Sequence, residues 1–319
     1  MSAENANPSC PSCQGSALKK IGFAVCVSQF ETDAVADLAK MNTTLYRCLT
    51  CRLVFRLPMP SQEILDRVYA SMQADHWQYT EPIWWHWSRE AIDHWAPDGK
   101  VLDIGCFRGD FLGYLGSRYA RFGVEPNEKA AAVARARGIQ IVGSTLANAD
   151  QLPQGSFGAA VLMDVVEHVY DPRRAVALLM TLLRPGGVII LLTGNSDSWP
   201  ARLSLPFYWY LGLPYHLVYL NRRYVMWLAS ELGLDLVAWR TLAHEKAPWS
   251  RRIRQSMGCG LYASWHHWIE RSPMAGIARR IPPYSSVAPH ASAPPLFMRL
   301  KDHFWAVLRK PLTGAKSRP

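Results

Sequence analysis

Between residues 99 and 240, short apolar runs alternate with stretches whose apolar positions recur every three or four residues. The first pattern marks a buried strand and the second an amphipathic helix. "KVLDI" (100–104), "RFGVE" (121–125), "IQIV" (139–142), "AAVLM" (159–163) and "GVIILLT" (187–193) read as five strands. One helix is expected to open near Gly109. A second covers "PNEKAAAVARARG", with Pro126 near its start and Gly138 at its end, and a third covers "PRRAVALLMTLLR". This alternation predicts an α/β fold, a mostly parallel sheet with helices on both faces. Such sheets bind ligands beyond the carboxyl ends of their strands.

The rest of the chain has other textures, and no internal repeat is visible. Residues 1–56 carry two cysteine pairs. Residues 57–98 are polar, helical and aromatic, with "HWQYTEPIWWHW" at 76–87; Trp84, Trp85 and Trp87 suggest a lid or linker ahead of the 99–240 core. Residues 241–319 are basic and rich in Pro and Trp. With 49% apolar and 19% charged residues, the chain of 319 has the balance of an ordinary globular protein. No run of about 18 apolar residues predicts a membrane span. "MSAENANPSC" lacks the order of a signal peptide, so a cytoplasmic location is expected. The net charge of +10 is concentrated late: residues 240–319 hold 14 Lys or Arg against 3 Asp or Glu. That excess suits phosphates, nucleic acid or an acidic membrane surface, with peripheral contact at the inner membrane through 241–319.

Asp103-x-Gly105-x-Phe107-x-Gly109 follows a strand and opens a helix, the context in which a glycine turn holds a nucleoside cofactor. A dinucleotide fingerprint requires G-x-G-x-x-G, and G-C-F-R-G-D does not fit it. The turn resembles instead the D-x-G-x-G-x-G motif of class I S-adenosylmethionine-dependent methyltransferases, with Phe107 in place of the middle glycine. The order downstream agrees: Glu125 after the second strand, then "GSFGAAVLMDVVEHVYDP", then "LLRPGGVIILLT". The resemblance covers roughly residues 60–240. It implies a Rossmann-like methyltransferase sheet and S-adenosyl-L-methionine as cofactor. Asp103, Gly105, Phe107, Gly109 and Glu125 would bind it, with Ser144 and Asp164 as further contacts. Glu125 would accept hydrogen bonds from both ribose hydroxyls.

"CPSC" and "CLTC" place Cys10, Cys13, Cys48 and Cys51 as two C-x2-C knuckles separated by 34 residues. Four thiolates so spaced suit a tetrahedral Zn²⁺ ion in a small N-terminal zinc ribbon. A pair of redox dithiols is the alternative. The ribbon resembles that of methyltransferases acting in bacterial sugar and polysaccharide modification. Cys26, Cys106 and Cys259 have no partner by spacing and read as packing residues.

Methyl transfer needs an aligned nucleophile and commonly a base. Glu167 and His168 lie just past the fourth strand; His168 is one candidate base and His216 another. Asp164, Glu167 and His168 also resemble the E-x-x-E-H metal site of ubiquinone-biosynthetic O-methyltransferases. "FYWYLGLPYHLVYLNRRYVMWLASELG" resembles the family's run before its last large helix and implies that Tyr215, His216 and Tyr219 line the acceptor pocket. "LKDHFWAVLRKP" (300–311) has two readings. It is an amphipathic helix on an anionic membrane, or it resembles the closing strand, antiparallel to its neighbours. The strand reading makes 241–299 a long insertion. The acceptor expected is a small molecule or a glycan precursor, including a phosphate-bearing sugar nucleotide or lipid-linked sugar. A nucleic-acid methyltransferase and a non-catalytic cofactor-sensing protein are the rivals; "TGNSDS" lacks the N/D-P-P-Y/F motif of enzymes acting on bases, so nucleic acid is not expected.

Overall fold

The computed structural model describes residues 8–24, 33–71, 81–97, 99–245, 247–286 and 298–312. In chain order it begins with β1 (Leu18–Phe23), α1 (Asp33–Ala39), β2 (Thr44–Cys48), β3 (Val54–Leu57), α2 (Gln62–Ser71) and α3 (Ile83–Trp95). Next come β4 (Lys100–Ile104), α4 (Asp110–Leu115), β5 (Ala120–Val124), α5 (Glu128–Ala136), β6 (Gln140–Gly143), β7 (Phe157–Met163) and α6 (Pro172–Leu182). These are followed by β8 (Leu183–Gly194), α7 (Trp199–Ser204), α8 (Trp209–Gly212), β9 (Val218–Tyr219), α9 (Arg222–Leu232) and β10 (Asp235–Leu242). The chain then forms α10 (Trp249–Ser264), α11 (Ala275–Ala278) and β11 (His303–Arg309).

The elements gather into two compact units that cut across the four textural regions. One takes in the described parts of Ser61–Thr193, Val225–Arg240 and Trp305–Pro319; the other those of Met1–Pro60, Gly194–Tyr224 and Thr241–Phe304.

The larger sheet has seven strands in the order β10-β11-β8-β7-β4-β5-β6. β4 pairs in parallel with both β5 and β7, β5 with β6, and β7 with β8. The chain moves outward from β4 to β6, then returns to the other side of β4. The crossover therefore falls at β4, where sheets of this kind bind ligands. Val101, Leu102, Ala159–Leu162 and Val188–Leu192 are fully buried, as expected of parallel strands covered on both faces. β11 lies between β10 and β8 and runs opposite to β8: Lys310 exchanges backbone hydrogen bonds with Gly186 and Gly187 near the start of β8, while Asn195, just past its end, donates to Asp302. Residues 303–309 are thus a strand, which overturns the amphipathic-helix reading of 300–311. Six of those seven residues are buried, leaving no polar face for water.

The three tryptophans of α3 do not make one surface. Trp84 and Trp85 are buried, and Trp85 packs on Phe111 and Tyr114. Trp87 sits edge-on to Trp305 beneath the Arg240 guanidinium. Trp84 and Trp85 are thus core residues, and Trp87 is half-buried.

In the other unit, β1, β2, β3 and β9 form an antiparallel sheet in that order. The first three strands belong to the cysteine-bearing segment, and the fourth arrives from far along the chain. Cys26 lies outside the described residues, while Cys106 and Cys259 are buried as expected.

Candidate functional site

β4 ends at Ile104, and the turn that follows is shaped by three consecutive odd-numbered residues. Gly105, Phe107 and Gly109 have φ of 71°, 49° and 72°, all in the left-handed region. A β-carbon on Gly105 would stand 2.6 Å from Val165 Cγ2, so this position excludes side chains by space as well as by φ. Phe107 takes the conformation a glycine would take. Its backbone N–H donates to Glu125 Oε2 at 2.8 Å. The other oxygen, Oε1, accepts from the Asn127 N–H at 2.8 Å. Asn127 in turn caps α5, accepting at Oδ1 from the Ala130 N–H. The Glu125 carboxylate is thus held in one orientation by two amides, one from each flanking turn.

Asp103 lies beside it, 5% exposed. Burial and the Glu125 charge push the Asp103 carboxyl up to about 8, and burial also raises that of Glu125. Two buried acids with raised pKa values form a site that favours a ligand bearing positive charge and hydroxyl donors. S-adenosylmethionine, with its sulfonium, ammonium and ribose hydroxyls, fits that donor set.

The remaining predicted cofactor residues are placed less distinctively. Ser144 is exposed and its N–H donates to Asn148 Oδ1. Asp164 follows β7 with φ 53°, its N–H bonded to the Leu192 carbonyl. Asn127 and Asn148, which hold Glu125 and the Ser144 turn, were not anticipated. The signal for Asn127 was its position one residue before an acidic first turn, the usual place of a helix cap.

Of the catalytic candidates, Glu167 is fully buried and its Oε2 accepts from the Thr193 hydroxyl at 2.8 Å. One oxygen of the Asp164–Glu167–His168 trio is therefore already committed to the core. His168 is half-buried, with its ring edge-on to Tyr69 at 5.7 Å. His216 is 5% exposed, and its Nδ1 donates to the Tyr210 carbonyl at 3.2 Å. Tyr219 does not present its hydroxyl to a pocket. It is buried against Arg56 and the carbonyls of Leu211 and His216.

A further histidine escaped the sequence reading. His303 opens β11, 1% exposed, and its Nδ1–H donates to Asp302 Oδ1 at 2.8 Å. The Tyr208 hydroxyl donates to the other Asp302 oxygen. Burial and the Asp302 charge hold the Tyr208 pKa well above its usual value, so it remains a donor. The Asp302 carboxylate thus orients the His303 ring through Nδ1. In "LKDHFW" nothing but the adjacent acid marks it.

The four predicted metal ligands converge. Cys10 and Cys51 sulfurs lie 3.6 Å apart, Cys13 and Cys48 sulfurs 3.5 Å apart, and all four sit within 4.8 Å of one another. A tetrahedral ion with about 2.3 Å metal–sulfur bonds separates its ligands by about 3.8 Å, so the set fits one. The hydrogen bond from Cys51 draws the Cys10 thiol down to about 6, while burial pushes that of Cys13 up to about 11. Arg56, one residue inside the end of β3, is 1% exposed and had not been singled out. Its guanidinium donates to the carbonyls of Leu211, Leu213 and Pro214 and to the Tyr219 hydroxyl. With the β3–β9 pairing, this fastens segment 211–219 to the cysteine-bearing sheet.

A crossover at β4, a left-handed turn beyond it and a clamped acid after β5 define a Rossmann-like nucleoside-cofactor domain. Residues 93–238 match the family model described as a methyltransferase domain. Among curated relatives, a ubiquinone biosynthesis O-methyltransferase of Albidiferax ferrireducens is 34% identical over 119 residues, covering 33% of this chain and 46% of its own. One from Caulobacter sp. is 38% identical over 108 residues, covering 30% and 41%. The chain thus spans less than half the length of these relatives. A solved S-adenosylmethionine-dependent methyltransferase from Archaeoglobus fulgidus is 16% identical, with TM-score 0.44, over 71% of this chain and 94% of its own.

Proposed function

We propose that this chain transfers a methyl group from S-adenosylmethionine to a hydroxyl of a small-molecule or glycan-precursor acceptor, and that Cys10, Cys13, Cys48 and Cys51 hold a structural zinc ion. The observation that carries the reading is the Glu125 carboxylate, held by the Phe107 and Asn127 amides beside buried Asp103. It stands within the stretch matching the methyltransferase family. The names of the O-methylating relatives support an oxygen acceptor.

S-adenosylmethionine, when bound, supplies a methyl group already activated on a sulfonium. The chain's own residues do the rest. The Gly105–Gly109 backbone would border the cofactor, Glu125 would accept from its ribose hydroxyls, and Asp103 would answer its positive charge. Thr193 and Glu167 fix the turn after β7. A histidine would take the acceptor's proton, and His168 and His216 are the candidates. With four thiolates the zinc has no open position, which makes its role structural.

The test is a calorimetric titration of the zinc-loaded protein with S-adenosylhomocysteine, repeated with Glu125→Ala. Micromolar binding is expected in the parent. The substitution removes two hydrogen bonds to a charged acceptor and weakens binding by roughly ten- to a hundredfold. Methyl-labelled cofactor with fractionated extract then locates the acceptor. No binding by the parent at millimolar ligand overturns the reading.

A further inference from the structure

Residues 303–309 form a buried strand, but an amphipathic surface is present elsewhere. Trp249, Ile253 and Met257 follow one another at intervals of four along α10 and are 78%, 50% and 64% exposed. That spacing aligns them along one side of the helix. Cys259, Tyr262, Ala263 and His266 are buried on another side, so the exposed row is not the face that holds α10 in place. Trp268, Met274, Ile277 and Ile281 continue the exposure past the end of α10 and around α11. Seven of the fourteen exposed large apolar side chains among the described residues thus fall within 33 residues.

Arginines are interleaved with them. Residues 249–281 contain Arg251, Arg252, Arg254, Arg271, Arg279 and Arg280 against the single acid Glu270, which is engaged with His266 at 2.9 Å. Arg280 also borders an open hollow with Pro273, Gly276, Ile277 and Ile281.

We infer that residues 249–281 dock on an anionic phospholipid surface. The apolar row enters the headgroup–acyl boundary and the arginines meet lipid phosphates, the arrangement of an interfacial helix. Two other occupants fit less well. A second copy related by a twofold axis would set this arginine cluster against itself. Nucleic acid would satisfy the arginines and leave Ile253, Met257 and Ile277 in water. No helix among the described residues is long and apolar enough to cross a membrane, so the contact is peripheral. The inference goes beyond the methyltransferase reading and does not depend on it.

The experiment is co-sedimentation of the full-length, zinc-loaded protein with vesicles of phosphatidylcholine alone and of phosphatidylcholine with about one-third phosphatidylglycerol. Uptake by the anionic vesicles, weakened by salt, is expected. Ile253→Glu with Met257→Glu should lower the partition more than tenfold. Replacing Arg251 and Arg254 by Gln should lower it about fivefold for each charge removed. Circular dichroism and the S-adenosylhomocysteine titration, both expected unchanged in these variants, report the fold and the cofactor site separately. Failure of the parent to bind anionic vesicles at low salt overturns the inference. So does equal binding by the Glu variant. A parent that self-associates through this patch without vesicles, or that binds duplex DNA in preference to them with loss in the Glu variant, assigns the surface to another partner and likewise overturns it.

Discussion

Phe107 answers whether a glycine turn survives the loss of its middle glycine. The backbone keeps φ at 49° and the N–H keeps its bond to Glu125, so the geometry is retained at the cost of strain. A non-glycine residue in that region costs about 1–2 kcal/mol. Phe107→Gly should therefore stabilise the protein by about 1 kcal/mol in denaturant titrations and leave S-adenosylhomocysteine affinity within about threefold. A tenfold loss of affinity would show that the ring itself contacts the cofactor. Asp103 makes a prediction in pH. Its folded pKa of about 8 lies above that of an unfolded aspartate, so burial favours the protonated form. The stability this group permits is present in full below its unfolded pKa, near 4, and is lost as pH rises through about 8. Asp103→Asn should thus leave the unliganded protein's Tm nearly unchanged at pH 5 and raise it by several degrees at pH 9, measured by scanning calorimetry. A cationic ligand should reverse the trend in the parent by restoring the carboxylate.

The strands β4, β7 and β8 were legible because they are buried on both faces and read as apolar runs, whereas β5 and β6 are only partly buried. β8 begins earlier than its sequence suggested, since Gly186 and Gly187 pair with Lys310 and extend the strand through the Pro-Gly-Gly turn. β9 was not legible. It is two residues long, it lies among aromatics that would suit any core, and its partner β3 is remote in sequence. Arg56 was hidden for a related reason: an arginine in a strand suggests an edge facing water, and only the folded chain shows four oxygens gathered around it. Those links make a prediction for metal removal. Chelation should raise amide exchange in the cysteine knuckles and β3 and also across 211–219, which contains no ligand. The measurement is hydrogen exchange read by mass spectrometry. Exchange confined to the knuckles would show that Arg56 and β9 hold that segment without the ion.

Taken over all 319 residues, the cofactor half of the reading was carried by an ordered set of short motifs, each with a local physical reason. The basic end was legible only as an excess of charge. Which residues of that end lie on the surface depended on which helix face the core had already claimed. His303 shows the same limit: its partner Asp302 is next to it in sequence, but Tyr208, which shares that carboxylate, is brought there only by the fold. The unit bearing the cysteines is assembled from three stretches, with Gly194–Tyr224 and Thr241–Phe304 joining the first. On the ribosome, the cysteine-bearing segment emerges ahead of the other two stretches. Its fourth strand and the carbonyls that receive Arg56 follow roughly 160 residues later. At about 5–20 residues per second, that leaves an interval of order ten seconds or more. During it the early hairpin has an open edge and a cation without its acceptors. Completion of this unit therefore trails the synthesis of its four clustered cysteines.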